Sequence, residues 1–229
     1  MVRNRDDLEM AIRAAVRHSW STRSRQAKAQ GAKSGDRDRG ARSAVTGGAH
    51  LDGFAELVRK LIVDAGVSDT AVYRRTRVEL PGYYRAEKKW DLVVVVDGRL
   101  FATVEFKAQV GPSFGNNYNN RAEEALGNAT DYWAAYREGA FKGSPRPWLG
   151  YLMLLEDAAG STRPVSVAEP HFPVFDELVP RRLVRQALRN PPDEDGARAT
   201  LRCGQPDPVA QQCGAEWSVF GALRGVDVR

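Results

Sequence analysis

Asp91, Glu105 and Lys107 are the residues of this chain whose types and spacing suit a reaction: an Asp, a gap of thirteen residues, then Glu-x-Lys. In extended chain, period-two geometry sets Glu105, Lys107 and Gln109 in a row on one face. Two carboxylates a few ångströms apart repel, and they stay ionised at neutral pH most easily with a divalent cation between them. An all-oxygen site of Asp91, Glu105, the Phe106 carbonyl and water suits Mg²⁺. Lys107, one pleat along, would lie beside a bound water, where an ammonium orients the nucleophile and offsets charge building on a phosphoryl group. That is phosphodiester-hydrolysis chemistry. The same residue types also occur on ordinary solvated strands, so the elements that position them must decide.

Trp90 to Gln109 reads as two β-strands joined at Asp97-Gly98, because runs rich in Val, Thr and Phe flank a dipeptide that favours a tight hairpin. Leu92, Val94 and Val96 with Ala102, Val104 and Phe106 form an apolar face that is expected to be buried. The opposite face, with Asp91, Glu105, Lys107 and Gln109, is expected to be an exposed ribbon. Asp91 meets Glu105 only in an even-sum register, with Val96 opposite Leu100, which calls for a three-residue turn or a bulge near Gly98 and Arg99. A strict two-residue turn would put the carboxylates on opposite faces.

The flanks supply context. Residues 4–18 have helical spacing, capped by Asn4 or Asp6. The polar, basic, glycine-punctuated stretch that follows is expected to be a loop, partly disordered without a partner and suited to a phosphate backbone; between Arg13 and Arg42 it helps gather nine Lys or Arg against two Asp. A helix from His50 to Ala65 carries the stripe Phe54, Leu57, Val58, Leu61, Ile62 and ends at Gly66. A strand from Val72 to Leu80 and a turn at Pro81-Gly82 lead to the basic, aromatic YYRAEKK. After Gln109 an Asn-rich loop precedes a helix from about Asn120 to Arg137, with Ala122, Ala125, Leu126, Ala129, Tyr132, Trp133 and Tyr136 inward. Asn116, Asn117, Asn119, Asn120 and Arg121 are types that read adenine and guanine edges or bind phosphate, though Asn is also an ordinary cap residue. Trp148 to Leu155 is a strand whose continuous apolar run suits an interior place in a sheet.

The chain of 229 residues, 42% hydrophobic, holds enough apolar material for one substantial domain, and a net charge of +5 is compatible with a nucleic-acid partner. No apolar run approaches a membrane span and the N-terminus lacks a signal-like core, so a cytoplasmic protein with no membrane partner is expected. Cys203 and Cys213 are too few for a disulfide framework or a zinc cluster. His18, His50 and His171 are isolated, and zinc-peptidase, P-loop and dinucleotide motifs are absent from the sequence. The element order gives an α/β fold, a mixed sheet flanked by helices. Its expected divisions are an N-terminal helix and basic arm at 1–46, a core at 47–175 and a C-terminal segment at 176–229.

The Asp, Glu-x-Lys pattern resembles the PD-(D/E)xK nuclease core, with Trp90 where that motif often has Pro. Taken together, GGAHLDGF at 47–54, ELPGYYRAEKKWDLVVV at 79–95, VEFKAQVGPSFGNNYNNRAEEALGNATD at 104–131, PWLGYLMLLED at 147–157 and EPHFPVF at 169–175 resemble the XhoI family of type II restriction endonucleases. The resemblance covers roughly residues 1–175. It implies a restriction-endonuclease-like fold and a homodimeric, Mg²⁺-dependent enzyme that cuts double-stranded DNA at the palindrome CTCGAG, leaving 5′-phosphate ends with 5′ overhangs. Asp91 and Glu105 become metal ligands, Lys107 the water-orienting cation and Gln109 their neighbour. Such cores often draw a further acid from the helix before the hairpin, here Glu56. A cognate DNA methyltransferase is the implied cellular partner. From about Glu177 the resemblance ends in a segment rich in Arg, Pro, Gly and Ala, read as a divergent tail or a frameshifted, degenerate end. A repair or recombination nuclease of the same core, and a DNA-binding module without catalysis, are the alternatives.

Overall fold

The computed structural model describes residues 4–34, 49–111, 114–163, 171–173 and 197–200. The chain divides between Val72 and Tyr73 into two compact units.

In the first unit, helix α1 (Arg5–Ser34) is opened by Asn4, whose Oδ1 accepts the Asp7 N–H at 2.8 Å. The helix runs sixteen residues beyond the end expected at residue 18, into the stretch expected to be a loop. Composition misled there: Arg, Gln, Ala and Lys are polar or small but are strong helix formers, and no proline interrupts them. Residues 35–48, the remainder of the expected basic arm, lie outside the described residues. Ile12, Ala15 and Val16 of α1 are buried, as are Leu51 of a short 3₁₀ turn (Ala49–Leu51) and Phe54, Ala55 and Leu57 of α2 (Asp52–Asp64). Gly53 sits against α1, where a Cβ would lie 3.2 Å from His18. Gly66, at φ +100°, ends α2 as expected.

The second unit is a sheet flanked by helix, the mixed α/β architecture the sequence implies. Its five-stranded sheet has the order β1 (Val72–Arg74), β4 (Leu92–Val96), β5 (Arg99–Gln109), β6 (Trp148–Glu156), β7 (Ala197–Thr200). β5 pairs antiparallel with β4 and parallel with β6, and β6 pairs antiparallel with β7. Four residues of the C-terminal segment thus supply an edge strand, and β6 has the interior place expected of its apolar run. The single strand expected over 72–80 is two: Arg75 and Arg77, at φ +67° and +57°, break it before β2 (Glu79–Pro81). β2 pairs antiparallel with β3 (Glu87–Lys89) as a separate hairpin.

The β4–β5 register corrects the expected position of the irregularity. Leu92 pairs with Val104, Val93 with Thr103 and Val94 with Ala102, an even sum; then Val95 pairs with Leu100 and Val96 with Arg99, an odd one. The turn is therefore a strict two-residue one, with Asp97 and Gly98 both at positive φ, 50° and 74°. Parity is restored by a bulge opposite Val94/Val95 that leaves Phe101 unpaired, not by a bulge at Gly98 and Arg99. Val96 faces Arg99, not Leu100.

Helix α3 (Phe114–Arg137) begins six residues before the expected Asn120, so the Asn cluster is helical rather than a loop. From Ala129 its inner face is buried: Tyr132 and Trp133 join Val78, Trp90, Val93, Leu100, Phe141 and Leu149 in the main apolar cluster. Trp90, Tyr132 and Trp133 meet edge to face, and the Tyr132 hydroxyl lies 3.1 Å from Thr103 Oγ1. The first half of α3 does not pack as expected, since Ala122 is exposed and Leu126 is 57% exposed. The face expected to be an open ribbon is covered instead: Val93 and Thr103 are fully buried and Glu105 is 3% exposed. Leu92, Val94, Val104 and Phe106, on the other face, are buried as expected.

Candidate active site

Asp91 directly precedes β4, and the Leu92–Val104 pairing, extended one step, brings it opposite Glu105. The residue lies at the rim of the sheet and is exposed, but its carboxyl turns inward, where Oδ2 accepts the Phe106 N–H at 2.7 Å. Crowding by protein and the negative charge of Glu105 push its pKa above the usual carboxylate value, against the pull of that N–H and of Lys107 and Lys88.

Glu105 is gripped from both sides. Its Oε1 lies 2.7 Å from Lys107 Nζ and its Oε2 lies 3.0 Å from Lys88 Nζ. Lys107 also approaches Glu124 of α3 at 3.6 Å, and Glu124 pairs with Arg121 at 2.5 Å. The result is a ladder of alternating charge, Lys88, Glu105, Lys107, Glu124, Arg121. Burial would lower the Lys107 pKa, but Glu105 outweighs it and the net shift is upward, so the ammonium is charged. Tyr151 of β6 pairs with Glu105 across the parallel register and shares its face. Burial first, then the Glu105 and Glu124 charges, raise the Tyr151 pKa well above the phenol range, leaving a neutral hydroxyl that donates to the Arg121 carbonyl at 3.4 Å.

This donor set fits a hard divalent cation. Glu105 Oε2 is buried without a hydrogen bond despite the nearby ammonium, and the Asp91 carboxyl stands in the same field with its ionisation disfavoured. Carboxylate oxygens without Cys or His select Mg²⁺-like ions over softer metals. Among the described residues no group of three or more His, Cys, Asp or Glu is placed to hold a metal ion. Mg²⁺ is commonly held by one or two carboxylates, with water and phosphate oxygens completing its shell.

The other expected site residues are placed as follows. Gln109 shares the Glu105 face but is 1% exposed, and its amide donates to the Phe114 carbonyl at 3.1 Å, tying the end of β5 to the start of α3. Glu56 lies in the Met1–Val72 unit, where Arg59 donates to both its oxygens at 3.0 and 2.8 Å. Asn119 and Asn120 are exposed on α3. The side chains of Asn116 and Asn117 lie outside the described residues, and Arg121 is engaged by Glu124.

Lys88, Glu124, Tyr151 and Asp131 were not singled out by sequence reasoning. Asp131 of α3 organises the tip of the β2–β3 hairpin: its Oδ1 accepts the N–H groups of Tyr83 and Tyr84 at 2.9 and 2.7 Å, and its Oδ2 takes Arg85 Nε at 2.7 Å. Gly82 permits this approach, since a Cβ there would fall 2.5 Å from the carboxylate. Tyr83 and Tyr84 are left 54% and 72% exposed, and a cleft of about 320 Å³ lies between the tip and α3, lined by Tyr84, Arg85, Glu124, Gly127, Asn128 and Asp131. The one available signal was indirect: the tip lies next to the Asp91 motif in sequence and is rich in aromatic and basic residues.

Comparison with known proteins yields one consistent picture. The family model described as restriction endonuclease XhoI matches residues 30–186. The chain is 56% identical over 147 residues to the type II restriction enzyme BstVI of Geobacillus stearothermophilus, covering 62% of this chain and 66% of that protein. It is 47% identical over 167 residues to the type II restriction enzyme AbrI of Azospirillum brasilense, covering 72% and 74%. It is 46% identical over 141 residues to the type II restriction enzyme XhoI of Xanthomonas vasicola, covering 61% and 57%. The match thus spans about two thirds of the length of BstVI and less of XhoI. No solved structure matches the chain, and no described helix is long and apolar enough to cross a membrane.

Proposed function

Because the chain belongs to the XhoI restriction endonuclease family, we propose that it is a type II site-specific deoxyribonuclease that hydrolyses double-stranded DNA at CTCGAG. The products are 5′-phosphate ends with 5′ overhangs. The observation that carries this reading is the convergence of Asp91, Glu105 and Lys107 in the even-sum register, with Glu105 Oε1 2.7 Å from Lys107 Nζ.

Asp91 and Glu105 would hold Mg²⁺, which when bound supplies Lewis-acid polarisation of the scissile phosphate and a more acidic water. The Phe106 N–H fixes one Asp91 oxygen, so the carboxyl needs no rotamer search before binding. The Lys107 ammonium orients the attacking water and offsets negative charge on the phosphoryl oxygens as the P–O3′ bond breaks. Glu124, itself paired with Arg121, is a second carboxylate holding Lys107. Asn119 and Asn120 on α3, and Tyr84 and Arg85 at the hairpin tip, are the exposed groups available to DNA; Asn116, Asn117 and Arg121 belong to the same proposed contact segment, and Gln109 supports it through Phe114. A palindromic target is read by a homodimer, one active site to each strand. A DNA methyltransferase of the same specificity would protect the host's sites.

The test is incubation of the protein with Mg²⁺ and a plasmid carrying one CTCGAG, with and without methylation of that site. Linear product from the unmethylated plasmid alone is expected. Nicking or end degradation would indicate a repair-type nuclease, and a persistent gel shift without product a binding module.

A further inference from the structure

Lys88 is a second lysine on the buried Glu105, and it comes from outside the five-stranded sheet, on β3 of the separate β2–β3 hairpin. Its side chain is 13% exposed. The ammonium lies 4.5 Å from the Trp90 ring centroid, 3.3 Å from the Lys89 carbonyl oxygen and 3.0 Å from Glu105 Oε2. Glu105 Oε2 itself makes no hydrogen bond, so the contact is an ion pair without directional fit. That oxygen also belongs to one of the two carboxylates at the cation site.

We propose that Lys88 is a positioning residue that stands in for the divalent cation on Glu105 and must leave Oε2 when the cation binds. This rests on the reading that Asp91 and Glu105 hold the cation. Lys88, Lys107, Asp91 and Glu105 together are neutral, so the acidic pair is kept compensated without metal. Adding a dication while both ammonium groups stay would leave a dense positive cluster away from water, which like-charge repulsion opposes. Lys107 is held by Glu124 as well as Glu105, whereas among the described residues Glu105 is the one carboxylate within ion-pair distance of Lys88, Asp91 acting on it from farther away. Lys88 is therefore the ammonium that moves. Its strand is continuous with the hairpin tip that carries exposed Tyr83 and Tyr84, so its release couples cation binding to that hairpin.

The test is calorimetric titration of the full-length protein with Mn²⁺ alone, without DNA. Lys88→Met, which removes the competing charge, is expected to bind Mn²⁺ about tenfold more tightly, and Lys88→Arg, which keeps it, to stay within about twofold of the unmodified protein. Equal or weaker binding by Lys88→Met would overturn the proposal. Asp91→Asn separates the two readings: if it abolishes binding while Lys88→Met is unchanged, only the role of Lys88 falls, and if it binds like the unmodified protein, the cation is elsewhere and both fall. A measurement on the unmodified protein avoids any folding defect. Amine acylation read by mass spectrometry should label Lys88 slowly without Mn²⁺ and faster at saturation; an unchanged or slower rate would overturn the proposal.

Discussion

Asp91 Oδ2 accepts the backbone N–H of Phe106 at 2.7 Å, the residue directly after Glu105. A hydrogen bond from the backbone of one strand to the side chain at the start of the other therefore sets where the first carboxyl stands relative to the second. The separation of the acidic pair is a property of the strand register.

Asp91→Ala or Glu105→Ala is expected to reduce plasmid cleavage by on the order of a thousandfold or more. Sequence-specific binding in a gel shift should remain measurable. Retained cleavage in either variant would exclude the assigned site.

The pKa of Asp91 lies above its ordinary value of 3.8, through burial and then Glu105. Cation binding needs the ionised form, so protons and Mg²⁺ compete, and the acid limb of the cleavage profile should move to lower pH as Mg²⁺ is raised. For stability the sign is the reverse of a salt-bridged acid. The contribution of Asp91 is fully present below the unfolded pKa and is lost as pH rises through the higher folded one. Melting temperature across that window, compared with Asp91→Asn, measures it; an identical pH dependence in the variant would exclude this account.

Asp131 is 5% exposed and accepts two backbone N–H groups and Arg85. Although burial works against it, the Tyr84 N–H, Arg85 and the Tyr83 N–H bring its pKa below the ordinary value. Its contribution is therefore present above the unfolded pKa and lost as pH falls through the folded one. Asp131→Ala should cost roughly 2–4 kcal/mol in denaturant unfolding and speed hydrogen exchange at Tyr83 and Tyr84. Unchanged exchange at those amides would show that the tip is held by something else.

Deleting Phe101 should be tolerated. The residue is 43% exposed and unpaired, and its removal leaves Val95 opposite Leu100 and Val94 opposite Ala102 on the same faces as before. A stability change within about 1 kcal/mol is expected, with cleavage retained. A folded but inactive variant would mean that the bulge's local twist, rather than its parity, positions the site.

The shared face of Glu105 and Lys107 was legible because period-two alternation is fixed by backbone geometry wherever the strand runs without a bulge, as it does from Ala102 to Gln109. The bulge at Phe101 was not, since its parity is visible in sequence but its position depends on which side chain finds room outside. Burial of that face depended on α3, whose Tyr132 and Trp133 read as inward, while Ala122 and Leu126 looked equally inward and are not. Lys88 and Asp131 act through contacts between elements distant in sequence, for which no local pattern exists. The extension of α1 to Ser34 was hidden because polarity resembles solvated chain even where helix propensity is high.

The alternating row from Lys88 through Glu105, Lys107 and Glu124 to Arg121, with Asp91 beside it, carries three positive and three negative groups. Neutrality belongs to the set rather than to any member. Removing the buried Glu105 carboxylate strands two ammonium groups, so a substitution there among relatives should arrive together with a change at Lys88 or Lys107. Drift at that carboxylate proceeds only in double steps.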